Sequence, residues 1–317
     1  MPTRRTPTAR STSSQRSTAS PPARRGRLAT AATMLPLALG LASTQLPSGK
    51  PAATTEGGGP GNVISCTLPF DAIKVHHPID DSCTADGNGK PGTPQAAQND
   101  QKNNFCVSGP PVNVTFDVLR QLQQEAASKV TFGADSKLPT DRSLLQGLPS
   151  AVGPIGEGTM VRLVAFVIDA HYSNVGAGES VNCKRPDKES NDIHIVLGEN
   201  SNQDDECTSA TAEMSPHFRP ATWVPESLTQ NNEHLFRFTG HLFFDGSHKP
   251  CSGGQGPNPK RSSLWEIHPV YAVDICMDPG NKCTVDSDSG WVSLSDHIGT
   301  ETRLSKPHRD LLALSLP

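Results

Sequence analysis

Between residues 158 and 276 the sequence contains five short runs rich in β-branched and aromatic residues, separated by turn-forming segments. The first run, residues 160–170, is apolar on both faces, which is typical of a buried strand. The other four runs cover residues 191–198, 207–213, 234–245 and 261–274. Because the connections leave no room for the helical crossovers of a parallel sheet, the pattern favours antiparallel pairing.

The number of strands, and the single long connection between the third and fourth runs, predict a mainly β fold with a small antiparallel barrel within residues 157–284. In strand count and spacing this region resembles an OB-fold barrel. The segments NDIHIVL and LWEIHPV, with the patterns D-x-H-I-x-L and W-E-I-H-P, and FTGHLFFD between them, also resemble a group of uncharacterised exported bacterial proteins. That resemblance supplies no activity.

The last run, residues 261–274, combines core-forming and chemically active side chains. Successive side chains of a strand point to opposite faces, so Trp265, Ile267 and Tyr271 are expected on one face. Glu266 and His268 are then expected on the other. Pro269 cannot donate a hydrogen bond to a neighbouring strand, and it can mark a bulge that rotates the second half of the run.

Histidine and carboxylate side chains recur on the predicted barrel strands at a spacing of two to four residues. The strand pairs are Asp192 with His194, His241 with Asp245, and Glu266 with His268, and the neighbouring candidates are Glu213, His217, Arg219, His248 and Arg261. Such side chains on one face of a barrel can bind a divalent metal or act as general acid and base. The alternative is that they form cross-strand hydrogen bonds and ion pairs without a ligand.

Residues 1–42 have the composition of a signal peptide. They contain seven arginines and no acidic residue, and an apolar run, LATAATMLPLALGLA, follows Arg27. The run is too short to span a membrane and is interrupted by Pro36. We therefore expect export to the periplasm or the medium and a mature chain without a membrane span; the Arg24–Arg25 pair leaves both Sec and twin-arginine export open. Residues 43–62 are rich in Pro, Gly, Ser and Thr and are expected to form a disordered linker.

Without the leader the protein is acidic. Removing the seven leader arginines from the 28 basic residues leaves 21 against 32 acidic residues, a net charge of −11. Nucleic-acid binding depends mainly on lysine and arginine contacts to phosphates. The charge balance therefore argues against a nucleic-acid partner.

The eight cysteines predict disulfides, because an even number in an exported chain usually forms bridges. They are Cys66, Cys83, Cys106, Cys183, Cys207, Cys251, Cys276 and Cys283. Their spacing lacks the closely spaced pairs of structural zinc sites. Proximity along the chain favours pairing within the first three, then Cys183 with Cys207, and Cys276 with Cys283 or Cys251.

Residues 63–156 are predicted to form a cysteine-containing, loop-rich region with one helix near residues 115–129. Thr115 can cap this helix, whose Phe116, Leu119 and Leu122 share one stripe. Asp86-Gly87-Asn88-Gly89 lacks the full spacing of a calcium loop and is interpreted as a turn. Residues 285–317 are expected to form a C-terminal tail.

Two hypotheses about function follow. The first is an exported, disulfide-bonded binding or structural β-domain whose ligand the sequence does not identify. The second is a metal-dependent hydrolase, for example a phosphodiesterase, that uses a divalent metal on the histidine and carboxylate face. The sequence contains no Gly-x-Ser-x-Gly, His-Glu-x-x-His or phosphate-binding glycine loop.

Overall fold

The computed structural model describes Phe70, Ile79, residues 83–106 and residues 109–300. Seven strands lie in this part of the chain: β1 Val112–Val114, β2 Met160–Tyr172, β3 Ile193–Gly198, β4 Ala210–Met214, β5 Leu235–Phe244, β6 Trp265–Cys276 and β7 Trp291–Ser293. The α-helices are α1 Pro94–Lys102, α2 Phe116–Ala127 and α3 Pro225–Thr229. Short 3-10 helices cover Asp135–Lys137, Arg142–Leu145, Lys188–Ser190 and Glu206–Thr208, and residues 294–300 are helical.

Five of these strands close into a barrel in the order β2–β3–β4–β6–β5, with β5 pairing back to β2. The predicted mainly β fold with a small barrel is thus confirmed. Four of the five pairs in the barrel are antiparallel, whereas β4 and β6 are parallel. The parallel pair arises because the connection that contains α3 separates β4 from β5, and β6 inserts between them. The sequence pattern favours antiparallel pairing, and the β4–β6 pair departs from that expectation.

The inner faces of the barrel strands form one apolar core. Phe236, Phe238, Leu242 and Phe244 of β5 point inward as the sequence predicts, and Ile193, Ile195 and Leu197 of β3 do the same. The side chain of Thr115 caps α2 by accepting a hydrogen bond from Val118 N. Helix α2 adds its apolar stripe, which includes Leu119 and Leu122, to this core.

Strand β6 differs from the prediction in its bounds and in the direction of one aromatic side chain. It begins at Trp265 rather than residue 261. Its pairing with β5 shifts register twice, so that Gly240 lies opposite Val270 and Leu242 opposite Ile267. Pro269 lies within this irregular stretch of the ladder. Because proline has no amide hydrogen to donate, it is tolerated where the regular pairing is interrupted. Tyr271 is consequently on the outer face, where its hydroxyl donates to Asn104 O at 3.0 Å.

Two further expectations of secondary structure are wrong in detail. The run at 207–213 begins with a 3-10 turn, because Asp205 accepts a hydrogen bond from Cys207 N, and the strand starts only at Ala210. Helix α1 lies in a segment expected to be irregular. Its sequence, PQAAQNDQK, has almost no apolar stripe, but Thr93 caps it and proline occupies its first turn.

Three disulfides join six of the described cysteines: Cys83 with Cys183, Cys207 with Cys251, and Cys276 with Cys283. The expected Cys276–Cys283 bridge is therefore present. The expected Cys183–Cys207 bridge and the pairing of Cys83 with a near neighbour are wrong, because the barrel brings distant loops together. Cys66 lies outside the described residues.

The signal peptide at 1–42, the linker at 43–62 and the C-terminal part of the tail after residue 300 also lie outside the described residues. Within the described ranges, no helix has the length and apolar character needed to cross a membrane.

Candidate metal centre

The outward side chains of the barrel strands form a buried polar layer beneath α1. Two α1 side chains, one helical turn apart, reach this layer. Lys102 Nζ lies 2.8 Å from Glu213 Oε2, and Gln98 Nε2 donates to Asp245 Oδ1 at 3.3 Å. The layer is charged because alternation along β3, β4 and β6 places ionisable residues outward while the apolar residues fill the core.

Asp192, Glu213 and His268 converge at the centre of this layer. Asp192 directly precedes β3, Glu213 is on β4 and His268 is on β6. His268 Nε2 lies 3.1 Å from Asp192 Oδ2 and 3.4 Å from Glu213 Oε2. One ligand atom from each residue lies within 4.8 Å of the other two, and all three residues are buried. The order β3–β4–β6 brings these three chain segments side by side.

Neighbouring side chains fix the two carboxylates. His194 is directly across from Glu213 in the β3–β4 ladder, and its Nδ1 lies 3.1 Å from Glu213 Oε1. Asn182 Nδ2 donates to Asp192 Oδ1 at 3.2 Å. Each carboxylate thus has one oxygen bound by a fixed side chain and another oxygen directed at His268.

The electrostatic environment keeps both carboxylates ionised. Burial opposes the charge of Glu213, but Lys102 and the two histidines outweigh it and hold the pKa of Glu213 well below its usual range. Burial also opposes the charge of Asp192, and His268 more than offsets it, so the pKa of Asp192 is lowered. Ionised carboxylates are the form that binds a cation.

The rest of the polar layer forms a second network beside this centre. Arg261 pairs with both Asp245 and Glu266, and His248 Nδ1 contacts Asp245 Oδ2. Burial opposes charge on His248, yet the hydrogen bond and charge of Asp245 raise the pKa of its imidazole. Burial, followed by the neighbouring Glu213, raises the pKa of Glu266. The predicted residues Asp245, His248, Arg261 and Glu266 therefore pair with one another rather than with His268.

Three predicted candidates lie away from both groups of contacts. His241 Nε2 accepts a hydrogen bond from Gly158 N at 3.0 Å, so the imidazole is neutral, and burial lowers its pKa to about 3. His217 packs edge-on against Phe70, with ring centroids 4.8 Å apart. Arg219 donates to the backbone oxygens of Asn191, Met214 and Glu189.

Several residues of the layer were not among the sequence candidates. Lys102, Gln98 and Asn182 come from loop-rich segments whose sequence has no regular periodicity. The Cys83–Cys183 bridge and the long β2–β3 connection bring these three side chains to the polar layer. The single lysine of the charge-poor segment PQAAQNDQK is the one local signal that could have indicated Lys102.

The donor set of Asp192, Glu213 and His268 is compatible with a divalent metal. Ligands about 2.1 Å from a tetrahedral metal are about 3.4 Å apart, which is close to the two separations at His268 Nε2. Among the carboxylates of the layer, Glu213 pairs with Lys102, and Asp245 and Glu266 pair with Arg261. A metal bound to His268 Nε2 would replace the contacts of that nitrogen with the two carboxylates.

The chain matches no protein-family model, and no curated protein or solved structure is similar to it.

Proposed function

We propose that this protein is an exported, disulfide-bonded binding domain whose ligand is a divalent metal ion held by Asp192, Glu213 and His268. The observation that carries the proposal is the convergence of two carboxylates and one imidazole, from three adjacent strand positions, in a buried layer. The basic, acid-free leader of the sequence supports export.

The ligand types narrow the choice of metal. A mixed set of one imidazole and two carboxylates suits zinc and other first-row divalent ions better than calcium, which takes six to eight oxygen ligands. The site is shielded, since Asp192 and His268 are completely buried and Glu213 is only 4% exposed. A shielded site with fixed neighbours favours retention of the ion over rapid exchange.

The competing interpretation is a ligand-free network of ion pairs. Lys102 and His268 already contact Glu213, and buried ion pairs of this kind occur in proteins without a ligand. The two interpretations differ in one measurable respect. Only the metal site requires all three side chains for stoichiometric binding of an ion.

A metal-dependent hydrolase is the second candidate function. It is favoured by the number of protein ligands, because catalytic zinc sites commonly use three and keep a fourth position for water or substrate. A substrate such as a phosphodiester would reach the centre only if α1 moved away from the layer. Hydrolysis of bis(4-nitrophenyl) phosphate that depends on added metal and disappears with His268→Gln would favour this candidate over a pure binding domain.

The proposal predicts about one tightly bound divalent ion per chain after zinc loading and dialysis. Asp192→Asn, Glu213→Gln and His268→Gln preserve side-chain size but each removes one ligand, so each should reduce metal retention at least about tenfold. His234→Gln is the matched control, because His234 directly precedes β5 and its Nδ1 contacts Cys276 O instead of the polar layer. Metal content is measured by elemental analysis of folded protein, with folding checked by circular dichroism.

Equal metal content in the wild type, the three ligand variants and the His234 control would contradict the proposal. So would wild-type protein that retains no metal after loading. Either result would leave the ion-pair network as the explanation of the cluster.

A further inference from the structure

Lys102 contacts the same oxygen atom that a metal would need. Its ammonium lies 2.8 Å from Glu213 Oε2, the oxygen that faces His268 Nε2 at 3.4 Å. Lys102 also lies over the Phe243 ring, with Nζ 5.7 Å from the ring centroid, and Phe243 in turn neighbours His268. A divalent ion bound to Oε2 would therefore be close to a buried positive charge, and the two would repel strongly in this shielded layer.

The position of Lys102 is set by the whole segment 83–106. Asn99 of α1 donates to Asp86 O and Ser180 Oγ, and Asn103 donates to Ala85 O. The Cys83–Cys183 bridge joins the start of the segment to the β2–β3 connection. The C-terminal end of the segment is held as well, because Asn104 O accepts a hydrogen bond from the Tyr271 hydroxyl at 3.0 Å and Phe105 is buried beside Met160 and Tyr271.

The turn that leads into α1 is fitted closely to the β2–β3 connection. Gly87 has a φ of +57°, and a Cβ atom at this position would lie 2.2 Å from Ser180 O. The amide of Asn88 also donates to Ser180 O at 3.0 Å. The bridge and the turn together keep the N-terminal end of the segment in place, so Lys102 lies between two fixed ends.

We infer that Lys102 is a built-in competitor for the metal, and that binding of a divalent ion displaces the ammonium of Lys102 from Glu213 and weakens the attachment of α1 to the polar layer. This inference rests on the proposed metal site. The fixed ends of the segment keep α1 beside the barrel, so Lys102 returns to Glu213 when the ion leaves. The metal affinity is consequently set by how firmly the segment is held.

Because the two binding events are thermodynamically linked, the competition can be measured either as zinc affinity or as the attachment of Lys102 to the barrel. If Lys102 weakens metal binding, the metal must weaken the attachment of Lys102 by the same factor. Lys102→Met should therefore bind zinc about tenfold or more tightly than the wild type, within the usual range of such couplings. In the wild type, added zinc should speed hydrogen exchange of the amides in α1, whereas a metal that merely stiffened the domain would slow it.

The test measures zinc affinity by competition with a chromophoric chelator in the full exported chain. Lys90→Met is the matched control, because Lys90 is an exposed lysine of the same segment. The paired change Cys83→Ser with Cys183→Ser retains Lys102 but loosens the segment, and it should also raise zinc affinity. Combining it with Lys102→Met should add little further gain, because both changes remove the same competition. Hydrogen exchange of the wild type requires no variant and remains decisive if a variant fails to fold.

Tighter zinc binding by Lys102→Met, with faster exchange in α1 on zinc addition, is the expected result. Unchanged affinity in Lys102→Met, with binding still lost in His268→Gln, would overturn the competition and leave the metal site intact. Slower exchange in α1 on zinc addition would also overturn it. Absence of zinc binding in every variant would refute the metal site itself, and the competition with it.

Discussion

At the residue scale, the polar layer shows how the same residue types acquire different roles from their surroundings. His268 lies between two ionised carboxylates, whereas His241 is a neutral hydrogen-bond acceptor and His217 packs against aromatic rings. Arg261 and Arg219 differ in the same way, since Arg261 pairs with carboxylates whereas Arg219 donates to backbone oxygens and lies over the Tyr172 ring. The residue type alone does not distinguish these roles. They depend on the side chains and backbone groups that each residue contacts in the folded protein.

His248 should give the protein a pH-dependent stability. Its pKa is raised in the folded protein, so its protonated form stabilises the fold fully below its unfolded pKa, about 6.5, and this contribution disappears as the pH rises through the folded pKa. The difference in free energy of unfolding between the wild type and His248→Gln should therefore be largest below about pH 6 and shrink at alkaline pH. Urea unfolding across this range is the measurement. A difference that grows with pH would contradict the pairing with Asp245.

At the element scale, β6 links the core to the candidate site. Trp265 and Ile267 point into the barrel, and Glu266 and His268 point outward, as alternation predicts. The bulges around Pro269 then break the alternation, so Tyr271 joins the outer layer instead of the core. A two-residue period could predict the first half of this strand but not the second.

The two faces of β6 should respond differently to substitution. Trp265 is fully buried in the barrel, so Trp265→Ala should destabilise the domain by about 3–5 kcal/mol. Tyr271→Phe removes only the hydroxyl that donates to Asn104 O, and it should cost about 0.5–1.5 kcal/mol. Chemical unfolding of both variants tests this. Similar losses for the two would mean that the Tyr271 hydroxyl contributes as much to stability as the buried Trp265 side chain.

The sequence predicts the barrel better than the candidate site, for a physical reason. Alternation and turn residues are local, so the β5 face, the α2 cap at Thr115 and the outward direction of Asp192 and Glu266 could be predicted. The closing pairs β4–β6 and β2–β5, the partner of Cys83 and the approach of Lys102 depend on contacts between distant segments. Those contacts decide which of the outward histidines meet a carboxylate.

At the scale of the whole molecule, disulfides connect the loops around the barrel. Cys83–Cys183 spans 100 residues and fixes the α1 segment, Cys207–Cys251 joins the β3–β4 and β5–β6 connections, and Cys276–Cys283 closes a short turn after β6. The polar layer is therefore covered by a segment that a covalent bond holds to the barrel. This arrangement suits a small domain exposed to an oxidising environment.

The disulfides should differ in their contributions to stability. In the chain-entropy model, a bridge across 100 residues contributes about 4.7 kcal/mol, whereas one across seven residues contributes about 2.4 kcal/mol. Cys83→Ser with Cys183→Ser should thus lower the melting temperature more than Cys276→Ser with Cys283→Ser. Differential scanning calorimetry of the two double variants compares them. The reverse order would indicate that the segment 83–106 contributes little to the folded domain.

The most direct test of the account is the coordination of the metal itself. X-ray absorption spectroscopy of the zinc-loaded protein should show nitrogen and oxygen ligands at about 2.0–2.2 Å, with the scattering of one imidazole and no sulfur. In His268→Gln the imidazole signal should disappear together with stoichiometric binding. Sulfur scattering, two or more imidazoles, or a spectrum unchanged by His268→Gln would contradict the claim that Asp192, Glu213 and His268 hold the ion.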